Sequence, residues 1–327
     1  MSPTLIFRPG CDIGCAALAG HAVRGLPSFK KMASLRDIRK RVRSFKSTQQ
    51  ITKAMKMVSA AKLRRAQEAL MATRPYSTAL EQVLRDVSIR HGEVTHPLLV
   101  PRASPKRVEV LVVTSDRGLA GAFNSNILRR VSRFLYEKGK SYESIQLSTV
   151  GRKGFEFFRR REVKIRKDYQ GLLGKANYAA AVNVARELAE EFLSGRVDEV
   201  YISYNTFISA IGQRVEFVRV LPLEELFLGE APHPAETAKG VVGDFEYEPS
   251  AEEVLEQLLP HVWALRIWRG LLESIASEHA ARMAAMDSAT NNADDAIDRL
   301  SLLYNRTRQA AITKELVEIV SGAEALK

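Results

Sequence analysis

Apolar positions near the N-terminal end recur at steps of three and four. Leu35, Ile38, Val42 and Phe45 fall on one helical face, and after the polar pair Gln49 and Gln50 the stripe resumes at Ile51, Met55 and Val58. Read this way, the stripe slips phase, which predicts a local change in the winding of a coiled coil. Ser34 can cap this helix, and Asp37, three residues on, favours its N-terminus. No Gly or Pro occurs between Pro27 and Pro75, so the helix runs roughly 40 residues, about 60 Å, before any continuation past Pro75.

The C-terminal part mirrors this. Residues 271–321 contain no Gly or Pro, which predicts a helix of roughly 75 Å. Its seam is clearest at Ala293, Ile297, Leu300, Tyr304, Thr307 and Ala311. Leu255, Leu258, Val262 and Leu265 extend it upstream, with Pro260 early in the helix or at a kink. Both helices far exceed the usual length of about 11 to 12 residues, which favours a coiled coil. Two long helices at opposite ends of one chain, separated by a compact insert, pair most simply as antiparallel neighbours.

The middle has another texture. Residues 108–114 (VEVLVVT) form a β-branched run suited to a buried strand, and a turn with Gly118 and Gly121 leads into a helix over 123–136. Further strands are predicted at 144–150, 199–205 and 214–221, and helices at 153–160 and 178–193. Strands alternating with helices imply an α/β layer structure. The expected organisation is an N-terminal extension (1–31), a shaft helix (32–90), a Rossmann-like α/β domain forming a foot (105–228), a linker rich in Pro and Gly (229–250) and a second shaft helix (251–327).

Charge changes this picture in one respect. The formal net charge is +11, but residues 34–72 alone hold eleven Lys or Arg against Asp37 and Glu68. Residues 251–321 carry eleven acids and seven bases, so a basic helix lies beside an acidic one. The two cysteines, Cys11 and Cys15, leave no disulfide framework for the rest of the chain and suit a reducing compartment. The extension, with its scattered Pro and Gly, reads as a disordered tail or as the product of a start codon upstream of Met32, rather than as a transit peptide. No run approaches the roughly 18 apolar residues of a membrane span, so membrane association is expected only through partners.

Candidate chemistry is sparse. SDRGLAGAFN, residues 115–124, follows a strand and opens a helix, as a dinucleotide site requires. It has only Gly118 and Gly121, however, without the three-glycine spacing that admits a pyrophosphate. The six histidines are scattered in no metal-ligand spacing, and no Walker-type loop occurs, so neither catalytic residues nor a cofactor or metal is expected. The basic face with Arg36, Arg39, Lys40, Arg43 and Lys46 is compatible with nucleic acid or a membrane surface but has few aromatics to stack on bases, and a solvated or partner-facing rod fits it at least as well. SEHAARMAAM, residues 277–286, is dominated by small side chains and Met; it suits a thin coiled-coil core or a low-friction contact surface.

Three long stretches together resemble one family. Residues 33–67 (ASLRDIRKRVRSFKSTQQITKAMKMVSAAKLRRAQ) resemble the opening helix of ATP synthase gamma subunits. SDRGLAGAFN resembles the signature of that family's central domain, and ASEHAARMAAMDSATNNADD with LYNRTRQAAITKELVEIVSGAEAL resembles its final helix. The resemblance implies a rotor shaft within a hexamer of alpha and beta subunits. Its foot would stand on a ring of c subunits beside an epsilon subunit, on the cytoplasmic side of a bacterial inner membrane. It implies partner contacts at Lys53, Met55 and Lys56, at Arg282 beside His279, and at Arg308, Gln309, Thr313 and Glu315. His279 stands where many members have Gln, so a pH-sensitive hydrogen bond is expected there, and Arg282→Glu is expected to weaken coupling rather than folding. Two rival readings remain open: a nucleotide-binding α/β protein, and a basic coiled-coil adaptor for nucleic acid.

Overall fold

The computed structural model describes residues 34–91, 96–209, 212–223, 248 and 250–324. The expected extension (1–31) and nearly all of the linker (229–250) lie outside them. Two long helices dominate: α1 spans Leu35–His91, 57 residues, and α5 spans Ala251–Glu324, 74 residues. Ser34 caps α1 as expected, its hydroxyl accepting from the Asp37 amide at 3.2 Å while Asp37 accepts from the Ser34 hydroxyl at 2.8 Å. Both helices run through a proline, Pro75 in α1 and Pro260 in α5. Proline costs an interior helix about 3 kcal/mol, and packing on both sides offsets this: Leu70, Leu80 and Leu84 flank Pro75 and are buried.

The helices pair antiparallel. Arg39 reaches Tyr304 at 2.5 Å, Gln49 bonds Asp294, Thr290 donates to Thr52 at 2.8 Å, and Lys56 meets Asp287 at 2.6 Å. This ladder corrects the predicted seam of α1. Thr52 and Ser59 are 8% and 3% exposed, whereas Ile51 and Val58 are 57% and 56% exposed. Counting Ile38, Val42, Phe45, Gln49, Thr52, Lys56, Ser59, Leu63, Ala66 and Leu70 gives unbroken steps of four and three, so no slip of phase occurs. The seam simply turns polar from Gln49 to Ser59, because acids and hydroxyls on α5 supply partners. Apolar periodicity therefore followed the outer face of that stretch.

Five strands form one sheet in the order β3-β2-β1-β4-β5: β1 Arg107–Val113, β2 Ser144–Val150, β3 Ile165–Tyr169, β4 Glu199–Phe207 and β5 Gln213–Leu221. The first four run parallel, and β5 is antiparallel to β4. Helices α2 (Phe123–Lys138), α3 (Arg152–Arg159) and α4 (Tyr178–Leu193) connect them. The sequence reading missed β3 (IRKDY), whose residues are polar because Arg166 reaches Glu109 of β1 at 2.7 Å across Ser148 of β2. Glu109 is fully buried; Ser148 and Gln146 also donate to it. A buried carboxylate with three donors is tolerable, whereas an unpaired one is not.

The sheet separates two cores. Val108, Val110 and Val112 pack under α2 and α3 with Phe123, Ile127 and Phe158. Leu111 and Val113 face the opposite core with α4 and α5, as strand alternation requires. That second core binds sheet to shaft: Trp263 of α5 donates its indole N–H to the Ala185 carbonyl of α4 at 2.6 Å, and Leu80 and Leu84 of α1 join it.

Candidate interaction site at the shaft-sheet junction

Strand β4 ends against α5. Its last residues bond the helix directly: the Phe207 amide donates to Glu273 at 2.9 Å and Ser277 donates to the Asn205 carbonyl at 3.0 Å. Asn205 in turn donates to the Phe123 carbonyl at 3.2 Å, which fixes the start of α2. The small residues of 277–286 serve this junction. Ala276 and Ala280 are fully buried against Leu63, Ala66 and Leu70 of α1, and Ala281 packs with the α2 core. Of the two readings offered for that stretch, the thin internal core is the one the geometry supports, because side chains this short let three elements meet.

The 115–124 turn completes the junction. The Ser115 amide donates to the Asn124 side chain at 3.0 Å, and Ser115 donates to the Arg117 carbonyl at 2.6 Å. Asp116 accepts from the Arg152 and Gly171 amides, each at 3.1 Å. The turn is thus closed by its own side chains, with a carboxylate where a phosphate would need donors, so it is a structural corner. Gly121 has φ +52, a left-handed conformation that favours glycine, and it sits over the Ala281 carbonyl.

Arg282 lies at the centre. Its guanidinium donates to Glu278 at 2.6 Å, to the Gly118 carbonyl at 3.3 Å and to His279 Nδ1 at 3.4 Å. Arg282 and Glu278 are 8% and 9% exposed. This overturns the expectation that reversing the Arg282 charge spares folding, since the residue holds the chain's own turn against its own helix. Burial pushes the Glu278 carboxyl up, with Arg282 opposing. Burial, then the charges of Arg282 and Lys62, lowers His279 to about 4. The ring is therefore neutral near pH 7, and the anticipated pH sensitivity moves into the acid range.

The unfolded ring, near 6.5, takes up a proton that the folded ring refuses, so stability is full above that value and falls as pH drops toward about 4. His279→Gln removes this penalty, and the variant gains on the parent by about 1 to 2 kcal/mol between pH 7 and pH 5. Denaturant midpoints of both proteins at the two pH values test it; a constant difference sinks it.

The other sequence-predicted contacts do not gather here. Lys53 is exposed, while Met55 and Lys56 are half-buried in the polar stretch of the seam, with Lys56 committed to Asp287. Arg308, Gln309, Thr313 and Glu315 are all exposed on α5, the first two level with the start of α1 and the last two beyond it. Sequence reasoning missed Thr52, Asp287, Thr290 and Asp294; an uninterrupted heptad count from Ile38 would have found the α1 partner. It also missed Glu278, four residues before Arg282, which that i,i+4 spacing could have flagged. Among the described residues, no group of three His, Cys, Asp or Glu is placed to hold a metal ion, and no helix is long and apolar enough to cross a membrane.

A two-helix shaft with a five-stranded α/β layer docked on one side defines the class of protein. The family described as ATP synthase matches this chain over residues 34–326. The ATP synthase gamma chain of Anaeromyxobacter sp. (strain Fw109-5) is 55% identical over 299 residues, covering 90% of this chain and 100% of that relative. The gamma chain of Pelotomaculum thermopropionicum is 48% identical over 296 residues with the same coverage. A chain in the central stalk and c-ring structure of the Tetrahymena thermophila mitochondrial ATP synthase aligns with TM-score 0.55 and 27% identity, covering 73% of this chain and 99% of that one. The chain belongs to the ATP synthase gamma-chain family.

Proposed function

We propose that this protein is the central-stalk rotor subunit of an F-type ATP synthase, coupling proton flow through a membrane ring to conformational cycling of the catalytic beta subunits. The observation that carries the reading, beside family membership, is the exposed C-terminal part of α5 among the described residues. Among the described residues α1 begins at Leu35, level with Arg308 in the register of the Arg39–Tyr304 contact, and beyond that level Ile312, Leu316, Val317, Ile319 and Val320 of α5 are 49 to 69% exposed. A helix exposing such side chains is stable when a surrounding sleeve covers them. A hexamer of alpha and beta subunits is that sleeve, and Arg308, Gln309, Thr313 and Glu315 are its contacts.

Lower on the shaft, Lys53 and the exposed Ile51, Met57 and Val58 form an outward face with no partner among the described residues. That face meets the mobile C-terminal region of the beta subunits, with Met55 and Lys56 at its edge. Each shaft angle favours one beta conformation through differential contacts, and a shift in populations follows. The chain itself supplies no catalytic group. The sheet layer is the foot, on the c ring with an epsilon subunit beside it, at the cytoplasmic face of a bacterial inner membrane.

Two measurements test this. A tagged chain expressed in its own cells should recover alpha and beta subunits in stoichiometric amounts; their absence overturns the assignment. Lys53→Glu should leave the unfolding free energy within about 0.5 kcal/mol of the parent, as is usual for surface changes. It should lower the ratio of proton pumping to ATP hydrolysis in membrane vesicles about twofold or more, as expected for a lost charge-assisted contact. An unchanged ratio removes Lys53 from the contact.

A further inference from the structure

Parallel topology sends every helix-to-strand connection of the sheet layer to one end, where β1, β2, β3 and β4 begin. The segments gathered there, residues 102–107, 136–143, 159–164 and 191–198, hold ten Lys or Arg against five Asp or Glu. The opposite end, at residues 114–122, 151–156 and 168–177, holds four against three.

Pairing differs as well as number. At the opposite end Arg152 and Lys153 share Glu156. At the strand-start end Asp198 is taken by Arg102 and Arg107, and Glu191 by Arg196. Lys106, Lys138, Lys140, Arg160 and Lys164 are then exposed without an ion-pair partner among the described residues. Two apolar side chains project from the same end: Tyr136, 85% exposed in the last turn of α2, and Leu193, 51% exposed at the end of α4. Glu137, Glu143 and Glu162 offset part of this charge, and the remaining excess of like charges opposes folding. Helix C-termini account for cations in a last turn, but not for Lys106, Lys140 or Lys164, which lie in loops.

This end also faces away from the shaft tip. The opposite end touches α5 at Ala281 and Arg282, whereas Leu98 and Leu99, just before the first basic segment, pack with Leu255 and Leu259 near the start of α5. Unpaired cations interleaved with an exposed Tyr and Leu are the composition that binds an anionic bilayer surface. Lys and Arg attract the headgroups, and the amphipathic ring enters the interface. We propose that this basic end is a docking surface for anionic phospholipid headgroups, holding the foot against the membrane in addition to its protein partners. The proposal rests on the rotor reading, which points the foot at the membrane.

The test uses the assembled alpha–beta–gamma–epsilon complex without membrane subunits, in which the basic part of α1 is enclosed. Formation of that complex is scored separately, so failure of the rotor reading is distinguishable from failure of this one. Binding to vesicles of phosphatidylcholine with about 30% phosphatidylglycerol should exceed binding to pure phosphatidylcholine at least about tenfold. It should be lost at about 0.5 M salt, where the Debye length falls below roughly 5 Å. A K138Q/K140Q/R160Q/K164Q variant should lose that preference while keeping ATP hydrolysis by the soluble complex unchanged. Equal binding to both vesicles overturns the proposal. So does undiminished binding by the variant, a lowered melting midpoint with no change in binding, or binding that requires c-ring protein in the vesicle.

Discussion

Arg282→Glu is expected to unfold the shaft-sheet junction, lowering stability by about 3 to 5 kcal/mol, because it leaves two buried carboxylates facing each other. Glu278 lies 2.6 Å from the guanidinium in the wild type, and both residues are nearly inaccessible. The bond to the Gly118 carbonyl is lost with the cation, so the 115–124 turn separates from α5. Denaturant unfolding measures the loss, and Glu278→Arg combined with Arg282→Glu should recover part of it by restoring the pair with reversed polarity. A single variant as stable as the parent would mean that this pair does not hold the junction. Any coupling defect of Arg282→Glu should therefore be read only beside its stability.

Gly151→Ala should cost about 3 kcal/mol or more, for two independent reasons. Gly151 has φ +88, where an L side chain is strained. A Cβ there would also lie 2.0 Å from the Thr114 carbonyl oxygen, which is backbone and cannot swing aside. Thr114 has no freedom to yield, since its hydroxyl donates to the Val150 carbonyl at 2.9 Å and accepts from the Gly154 amide at 2.8 Å. These contacts tie the end of β1 to the crossing from β2 into α3. Thermal unfolding with near-UV and far-UV detection reads the effect; a midpoint within a degree or two of the parent would show that the strands separate here at little cost.

Much of the architecture was legible because it rests on local rules. Breaker-free runs announced α1 and α5, and the Ser34–Asp37 cap marked where α1 begins. The β-branched run at β1 and the 16-residue helix α4 agreed closely with their predicted bounds. The α5 seam held as well: Ala293 is buried and Ile297, Leu300 and Tyr304 are half-buried. Strand β3 was invisible because Arg166 and Asp168 mask it, and their partners Glu109 and Thr149 belong to other strands.

The sequence by itself determined that this protein is a pair of long antiparallel helices with an α/β layer inserted between them along the chain. Periodicity, chain breakers and caps act over a few residues and need no distant partner. Only the tertiary structure decided which face of α1 is the seam and what Arg282 does. Thr52 and Lys56 lie off the predicted apolar stripe, and only Thr290 and Asp287 opposite them make them seam residues; Arg282, expected as a partner contact, is bound by Gly118 from 164 residues away. Polar groups take their role from the partner that satisfies them, and that partner is chosen by the fold.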